Sequence, residues 1–426
     1  MTKNTSDLLR NIDLGTLYGN VESVIKHQEL RYQKLLSEFK QYFKTEPEAV
    51  FSTPGRTELS GNHTDHNHGL VIAAAINLDS IAVVSKNDEK ITVYSDGYDE
   101  PFELTIRELN FNKNEKGTTT ALIRGIARKL SDEGYKIGGF NACITSDVLQ
   151  GSGLSSSASI EVLIGTIFNC LYNDGKIDST SIARIGQHAE NNFFGKPCGL
   201  MDQIACSTGG IVGIDFEDSG KPKITTVDFD LHSLDYTLVV LHTGGSHINL
   251  TNDYASVPGE MFSVASFFGK KTLREVEYDE FVNHISALRG KVSDRAVLRA
   301  LHFFNENIRV KEQMEALKKN DFESFLRLVQ QSGDSSFKYL QNIYSASDVS
   351  YQPVSVGLAL TEQFIRNTGR GACRVHGGGF AGTIQVFIPK DTVPAYKTYL
   401  RGIFEERSVQ TLSIRSKGTV CLYIAG

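Results

Sequence analysis

"GGFNACITSDVLQGSGLSSSASIEVLIGTIFNCLYNDG", Gly138 to Gly175, decides the fold. The opening part reads as a strand, "QGSGLSSSAS" (Gln150–Ser159) puts two glycines and a serine run at its end, and helical spacing then begins. Strand, glycine loop and helix in that order point to an α/β protein. The first amides of such a helix lack intrahelical partners and sit at the positive end of its dipole, so the junction can cradle a phosphate. It is not a Walker loop, which needs Gly-Lys-Ser/Thr after four spacer residues. A tight turn with serine N-caps is the plainer reading of the same letters.

Outward from this unit, the first fifty residues show helical spacing with charge on the opposite face, and should cap the main body. From Ala49 to about Gly139, segments such as "SIAVVSK", "KITVYSD" and "PFELTI" predict an antiparallel or mixed sheet, interrupted by a helix in "GTTTALIRGIARKLSDEGY". Past Gly210 the pattern restarts with "GIVGIDF", "KITTVDF" and "YTLVVLHT", then charged helices, and closes on "CRVHGGGFAGTIQVFIP" and "GTVCLYIAG". A boundary near Asp218 divides the chain into 1–217 and 218–426, two domains being expected because 426 residues exceed the roughly 250–300 a single core usually serves.

Composition is that of a globular protein, 40% hydrophobic and 22% charged, and a net charge of −6 offers no basic field for nucleic acid or anionic lipid. No apolar run reaches the roughly 18 residues of a membrane span, and the start lacks the core of a secretory signal. The expectation is a cytoplasmic protein acting on small molecules, a monomer or weak homo-oligomer without nucleic-acid or membrane partners. Six scattered cysteines without a CxxC pair read as reduced, structural thiols.

Three further stretches could carry chemistry. "PGRTELSGNHTDHNHG" (Pro54–Gly69) concentrates an arginine, acids and three histidines; "GKPCGLMDQIACSTGG" (Gly195–Gly210) holds Asp202 among small and apolar residues; "VHGGGFAG" (Val375–Gly382) permits close backbone approach. Glu190, twelve residues before Asp202, would suit Mg²⁺ beside a phosphate loop if the two carboxylates converge. The plainer readings are a helix cap for Asp202 and a bulged hairpin for the glycines. For His63, Asp65, His66 and His68 a zinc site is disfavoured, since no second Cys/His pair completes four ligands.

Taken in order, "PGRTELSGNHTDHNHG", "GSGLSSSAS", "CGLMDQ" and "GGGFAG" resemble the signature loops of galactokinases, within the GHMP family of small-molecule kinases. The resemblance implies an α/β (α+β) fold of two-domain GHMP architecture, with mixed sheets flanked by helices and the active site in the interdomain cleft. It implies transfer of the ATP γ-phosphoryl group to the anomeric hydroxyl of galactose, with Mg²⁺. Asp202 matches the family's catalytic aspartate and Arg56 the arginine beside it. Gly151, Ser152, Gly153, Leu154, Ser155, Ser156 and Ser157 match the phosphate loop, and Ser157 with Glu190 the Mg²⁺ pair. Asn62, His63, Asp65, Gly199 and Tyr254 fall on sugar-pocket positions, and residues 377–382 on the glycine-rich loop.

The first loop departs from the family's P-G-R-V-N-L-I-G-E-H-T-D-Y pattern in carrying Asn62 at the glutamate that contacts the sugar's 6-hydroxyl, and Glu58 at the family's asparagine. An amide still bonds a hydroxymethyl group, and unlike a carboxylate it does not repel a uronic acid. Galacturonate 1-kinase is therefore the alternative. A non-catalytic galactose and ATP sensor is the reading from another class, and the intact "GLSSSAS", Arg56 and Asp202 speak against it.

Overall fold

The computed structural model describes residues 12–148, 153–245, 250–405 and 408–424. Strands β1 (Ala49–Ser60), β2 (Leu70–Asn87), β3 (Lys90–Ser95), β4 (Phe102–Thr105), β5 (Gly139–Ser146), β6 (Ile211–Asp215) and β7 (Lys223–Val227) build most of the first sheet. A second sheet contains β8 (Tyr236–Gly244), β9 (Ala372–Val375), β10 (Gly382–Pro389) and β11 (Val409–Leu412), and the chain then returns as β12 (Val420–Ile424) to the first. The first sheet runs β12-β1-β2-β5-β3-β4 with β6 and β7 attached to β2; the second runs β11-β8-β10-β9. β3 and β5 pair in parallel and the other ladders are antiparallel. That parallel pair needs a crossover, and the helix Thr119–Asp132 supplies it.

Both faces of the first sheet are covered. The helices Thr119–Asp132, Ser156–Tyr172 and Ser179–Ala189 bury one face in a core of Phe51, Val84, Phe140, Ile167 and Phe168. On the other lies Glu22–Phe43, whose Tyr32, Leu35, Leu36 and Phe39 recur at helical spacing and pack on Val50, Ile81 and Val83. Asp79, fully buried, pins this helix: Arg31 reaches it at 2.6 Å, Arg415 at 3.1 Å and the Tyr18 hydroxyl at 2.5 Å. Burial alone would push the Asp79 carboxyl up, but Arg31 and Arg415 hold it below the ordinary value.

A shared core joins the sheets, in which Leu59, Ile72 and Leu154 meet Leu238, Val240, Val329 and Phe387. The division at 217/218 cuts across sheet membership, because β7 and β12 lie beyond it in sequence yet pair with β6 and β1. A second difference from the sequence reading concerns "PGRTELS", which is strand rather than loop: Pro54 to Ser60 belong to β1, held by β2, and only residues 61–69 form the loop. Among the described residues no helix is long and apolar enough to cross a membrane.

Candidate active site

β1 delivers Arg56 through an irregularity in its ladder with β2, between Pro54 and Arg56. Proline has no N–H to give the ladder, and the shift leaves the Arg56 N–H free to donate to the Leu154 carbonyl at 3.1 Å. Gly55 makes this approach possible: a side chain there would meet Leu154 O at 2.9 Å and the Val148 methyls at 3.0 Å. The loop's described part, from Gly153 onward, therefore lies directly on the strand. Gly151 and Ser152 fall outside the described residues.

The helix Ser156–Tyr172 starts from Ser155 in the left-handed region (φ 62°), and the Ser155 side chain does not cap it. That hydroxyl donates instead to Asp202. Among the described residues no side chain accepts from the first amides of this helix, the condition under which a helix start receives an anion. Asp202 sits in the first turn of the helix Met201–Thr208, where the dipole favours negative charge. Arg56 grips it with both prongs, Nε to Oδ1 and Nη2 to Oδ2 at 2.7 Å each, and its Nη1 donates to Gly153 O at 2.5 Å. Burial pushes the Asp202 carboxyl up, but Arg56 and the Ser155 hydroxyl outweigh it and hold the group below the ordinary carboxylate value. Asp202 is ionised at neutral pH beside a permanent cation.

Glu190 opens a π-helical turn, Glu190–Phe194, that continues the helix Ser179–Ala189. Its Oε1 accepts from Ser157 Oγ at 3.1 Å and from Lys196 Nζ at 3.2 Å, and its Oε2 from Gln203 Nε2 at 3.2 Å. Gln203 also donates to the fully buried Glu161 at 2.9 Å. Burial, then the charge of Glu190, pushes Glu161 well above the ordinary range. One hydroxyl and one carboxylate facing each other beside a helix start are hard oxygen donors of the kind Mg²⁺ takes together with substrate phosphates. Among the described residues no group of three or more His, Cys, Asp or Glu side chains converges as a metal cage.

The sugar-pocket positions meet the glycine-rich loop. His63, at φ 59°, donates Nε2–H to Gly378 O at 2.8 Å, and the Tyr254 hydroxyl donates to Gly379 O at 2.9 Å. Asp65 accepts from the His66 N–H at 2.9 Å, and its Oδ2 lies against Gly199, where any side chain would have to displace it. Asn62 stands apart. It is fully buried, donates to Glu58 at 3.0 Å and Gly377 O at 2.6 Å, and accepts from Asn342 at 2.7 Å and Ser336 at 3.4 Å. Those four bonds use the whole capacity of an amide, so in this arrangement Asn62 ties the glycine loop to β1. Glu58, its partner, pairs with the buried Arg374 at 2.9 Å; burial pushes its carboxyl up to about 7 against the pull of Arg374.

Sequence reasoning assigned no role to His376, Gln203, Lys196 or Arg374. His376 is buried beneath Gly153, between Thr383 Oγ1 at Nδ1 (3.0 Å) and Thr57 Oγ1 at Nε2 (3.0 Å). The Glu58 N–H also faces Nε2, so that nitrogen accepts and Nδ1 donates. Burial, with Arg56 and Arg374 nearby, keeps the imidazole neutral. "VHGGGFAG" contained this residue, but only contacts with β1, some 320 positions away in sequence, reveal its position under the phosphate loop.

A family model described as the galactokinase galactose-binding signature matches residues 37–86, and one described as the GHMP kinases N-terminal domain matches residues 121–210. The galactokinase of Glaesserella parasuis serovar 5 is 31% identical over 396 residues, spanning 90% of this chain and 96% of its own. The chain belongs to the galactokinase family. The Staphylococcus carnosus galactokinase is similar at 30% identity over 87% of this chain and 93% of its own. Among solved structures, Lactococcus lactis galactokinase complexed with galactose superposes with a TM-score of 0.78 at 23% identity, covering 91% of this chain and 99% of that one. Methanococcus jannaschii mevalonate kinase has a TM-score of 0.61 at 17% identity, covering 86% of this chain and 98% of its own, a likeness of fold. The mixed α/β architecture expected from the sequence is the one these galactokinase and GHMP kinase structures share.

Proposed function

We propose that this chain is an ATP-dependent sugar 1-kinase that transfers the γ-phosphoryl group to the anomeric hydroxyl of D-galactose, giving galactose 1-phosphate and ADP. The observation that carries the reading is the two-pronged Arg56–Asp202 pair, closed by Ser155 at an uncapped helix start. Family membership supports it, as does the galactose named for the Lactococcus lactis structure.

In this reading Asp202 accepts the proton of the anomeric hydroxyl. A loose phosphoryl-transfer transition state asks for positioning and charge neutralisation more than for a strong base, which suits an aspartate. Arg56 orients that carboxylate and faces the transferring oxygens as a fixed cation. Residues 151–157 receive the ATP phosphates. Ser157 and Glu190 would hold Mg²⁺, which when bound neutralises charge on the β- and γ-phosphates. His63, Asp65, Gly199 and Tyr254 would line the sugar pocket, with Asn62 fixing the wall made by Gly377–Gly379. A coupled assay for ADP across galactose, galacturonate, arabinose and N-acetylgalactosamine tests the reading. Galactose should give the highest kcat/KM, with the product phosphorylated at C1; absence of galactose turnover would sink it.

A C6-modified sugar is the second reading, favoured by the pairing of Glu58 with Arg374 inside the protein and by the amide at position 62, which leave no unpaired carboxylate at either position to repel a charged C6 group. In the same panel a higher kcat/KM for galacturonate would select it.

A further inference from the structure

Cys170 lies in the last turn of the helix Ser156–Tyr172, and Cys421 in β12. A clasp joins these elements: the Thr419 hydroxyl donates to Thr166 Oγ1 at 3.0 Å. From it, Cys170 is one helical turn further, about 6 Å, and Cys421 is two strand residues further, about 7 Å. The helix and β12 both run opposite to β1 and so in the same direction, and the matching steps place the two cysteines side by side. The faces agree: Cys421, opposite Phe51, packs like Cys170 against the helix-covered core, while Val420, Leu422 and, past the ladder's register shift, Tyr423 pack on the opposite face with the N-terminal helix. Both thiols are only part-buried, whereas Cys143, Cys206 and Cys373 are buried. Their contact lowers the Cys170 thiol below its ordinary value and pushes Cys421 up, and the Cys421 S–H has the Tyr423 carbonyl at 3.2 Å as a second acceptor.

We propose that Cys170 and Cys421 form a reversible disulfide, with a small-molecule disulfide such as oxidised glutathione as the oxidant. Cys170 loses its proton and its thiolate attacks one sulfur of oxidised glutathione, forming a mixed disulfide and expelling one glutathione thiolate. Cys421 then loses its proton and attacks the Cys170 sulfur, expelling the second. The two protein thiols give up two protons and two electrons, and the cleaved glutathione disulfide takes both electrons. The bond staples β12 to the far end of the helix that begins at the phosphate loop, roughly 21 Å along the axis from Ser156. It closes a loop of about 250 residues in the unfolded chain and so acts on stability, leaving the site's geometry alone.

The experiment treats the full chain with oxidised glutathione or with dithiothreitol, blocks remaining thiols by alkylation, and maps peptides without reduction. The expected result is a peptide pair joining Cys170 to Cys421, lost on reduction and missing in Cys170→Ser, Cys421→Ser and the corresponding alanine variants. The oxidised protein should melt about 5 °C or more above the reduced one, and the variants should show no such difference. Recovery of Cys170 and Cys421 as separate alkylated or glutathione-bearing peptides, or joined to other cysteines, overturns the pairing. A cross-link without a rise in Tm overturns the stapling role.

Discussion

Asp202 is engaged on both oxygens by Arg56 and on one by Ser155, yet about a third of its side chain faces solvent. An ionised, oriented and reachable carboxylate is what a proton acceptor needs. Asp202→Asn should lower kcat by about 10²- to 10⁴-fold, while calorimetry still finds sugar binding; near wild-type turnover would remove Asp202 from the mechanism. Because Asp202 lies below its ordinary value of 3.8, the group stays charged as pH falls toward 4, and log(kcat/KM) should show no acid limb from it above about pH 4. Arg56→Ala removes the cation and should move such a limb upward. Asp202 stood out in the sequence as a carboxylate among small and apolar residues, and its pairing with Arg56, at 2.7 Å on each oxygen, was expected only from the resemblance to galactokinases. His376 and Gln203 were not legible, since their meaning lies in contacts with residues distant in sequence.

Three consecutive carbonyls in the glycine loop each receive a donor, from two separate elements: Asn62 and His63 from the loop after β1, Tyr254 from the helix Thr251–Phe267. The glycines there are not equivalent. Gly377 and Gly379 both have positive φ (66° and 77°), but a side chain at Gly377 meets open space whereas one at Gly379 runs into the Asn342 carbonyl. Gly377→Ala should cost about 1–2 kcal/mol of backbone strain. Gly379→Ala should cost more and raise the sugar KM; urea titration and initial rates check both, and equal effects would contradict this account. At this scale the sequence was read correctly where periodicity dominates, as in the helices Glu22–Phe43 and Ser156–Tyr172. It misled at Pro54–Ser60, where glycine, proline and charge argue for a loop and pairing with β2 imposes a strand.

Two sheets, one shared core and a returning strand make the whole molecule the unit of stability. We propose that the 217/218 division marks no independently folding halves: a 1–217 fragment should be insoluble or lack a cooperative thermal transition by circular dichroism, because it lacks β7 and β12. A sharp transition in that fragment would overturn this. Stability should also fall in acid. His302 is fully buried between Ser335 and the Asn62 carbonyl at 2.9 Å each, and burial lowers its pKa to about 4 from an ordinary 6.5. The folded state then binds fewer protons than the unfolded chain between those values, so this contribution is complete above 6.5 and is lost as pH falls toward 4. The linkage amounts to about 3 kcal/mol. His302→Gln should flatten the fall of Tm over that window; an unchanged slope would exclude His302 as its source. The repeated switching of β and α pattern made the two-sheet α/β class legible in sequence, but no local signal marked the return of β12, because strand order is decided by pairing.

That return has a consequence for biosynthesis. β12 follows β1 by about 360 residues, and at roughly 5–20 residues per second the outer edge of β1 is made on the order of 20–70 s before the strand that covers it. During that interval its unpaired amides and carbonyls are open to other strands, nascent neighbours included. Bulges and a proline along β1 make it a poor template for such pairing, so the irregularities that aim Arg56 also protect the chain while it waits for its last strand.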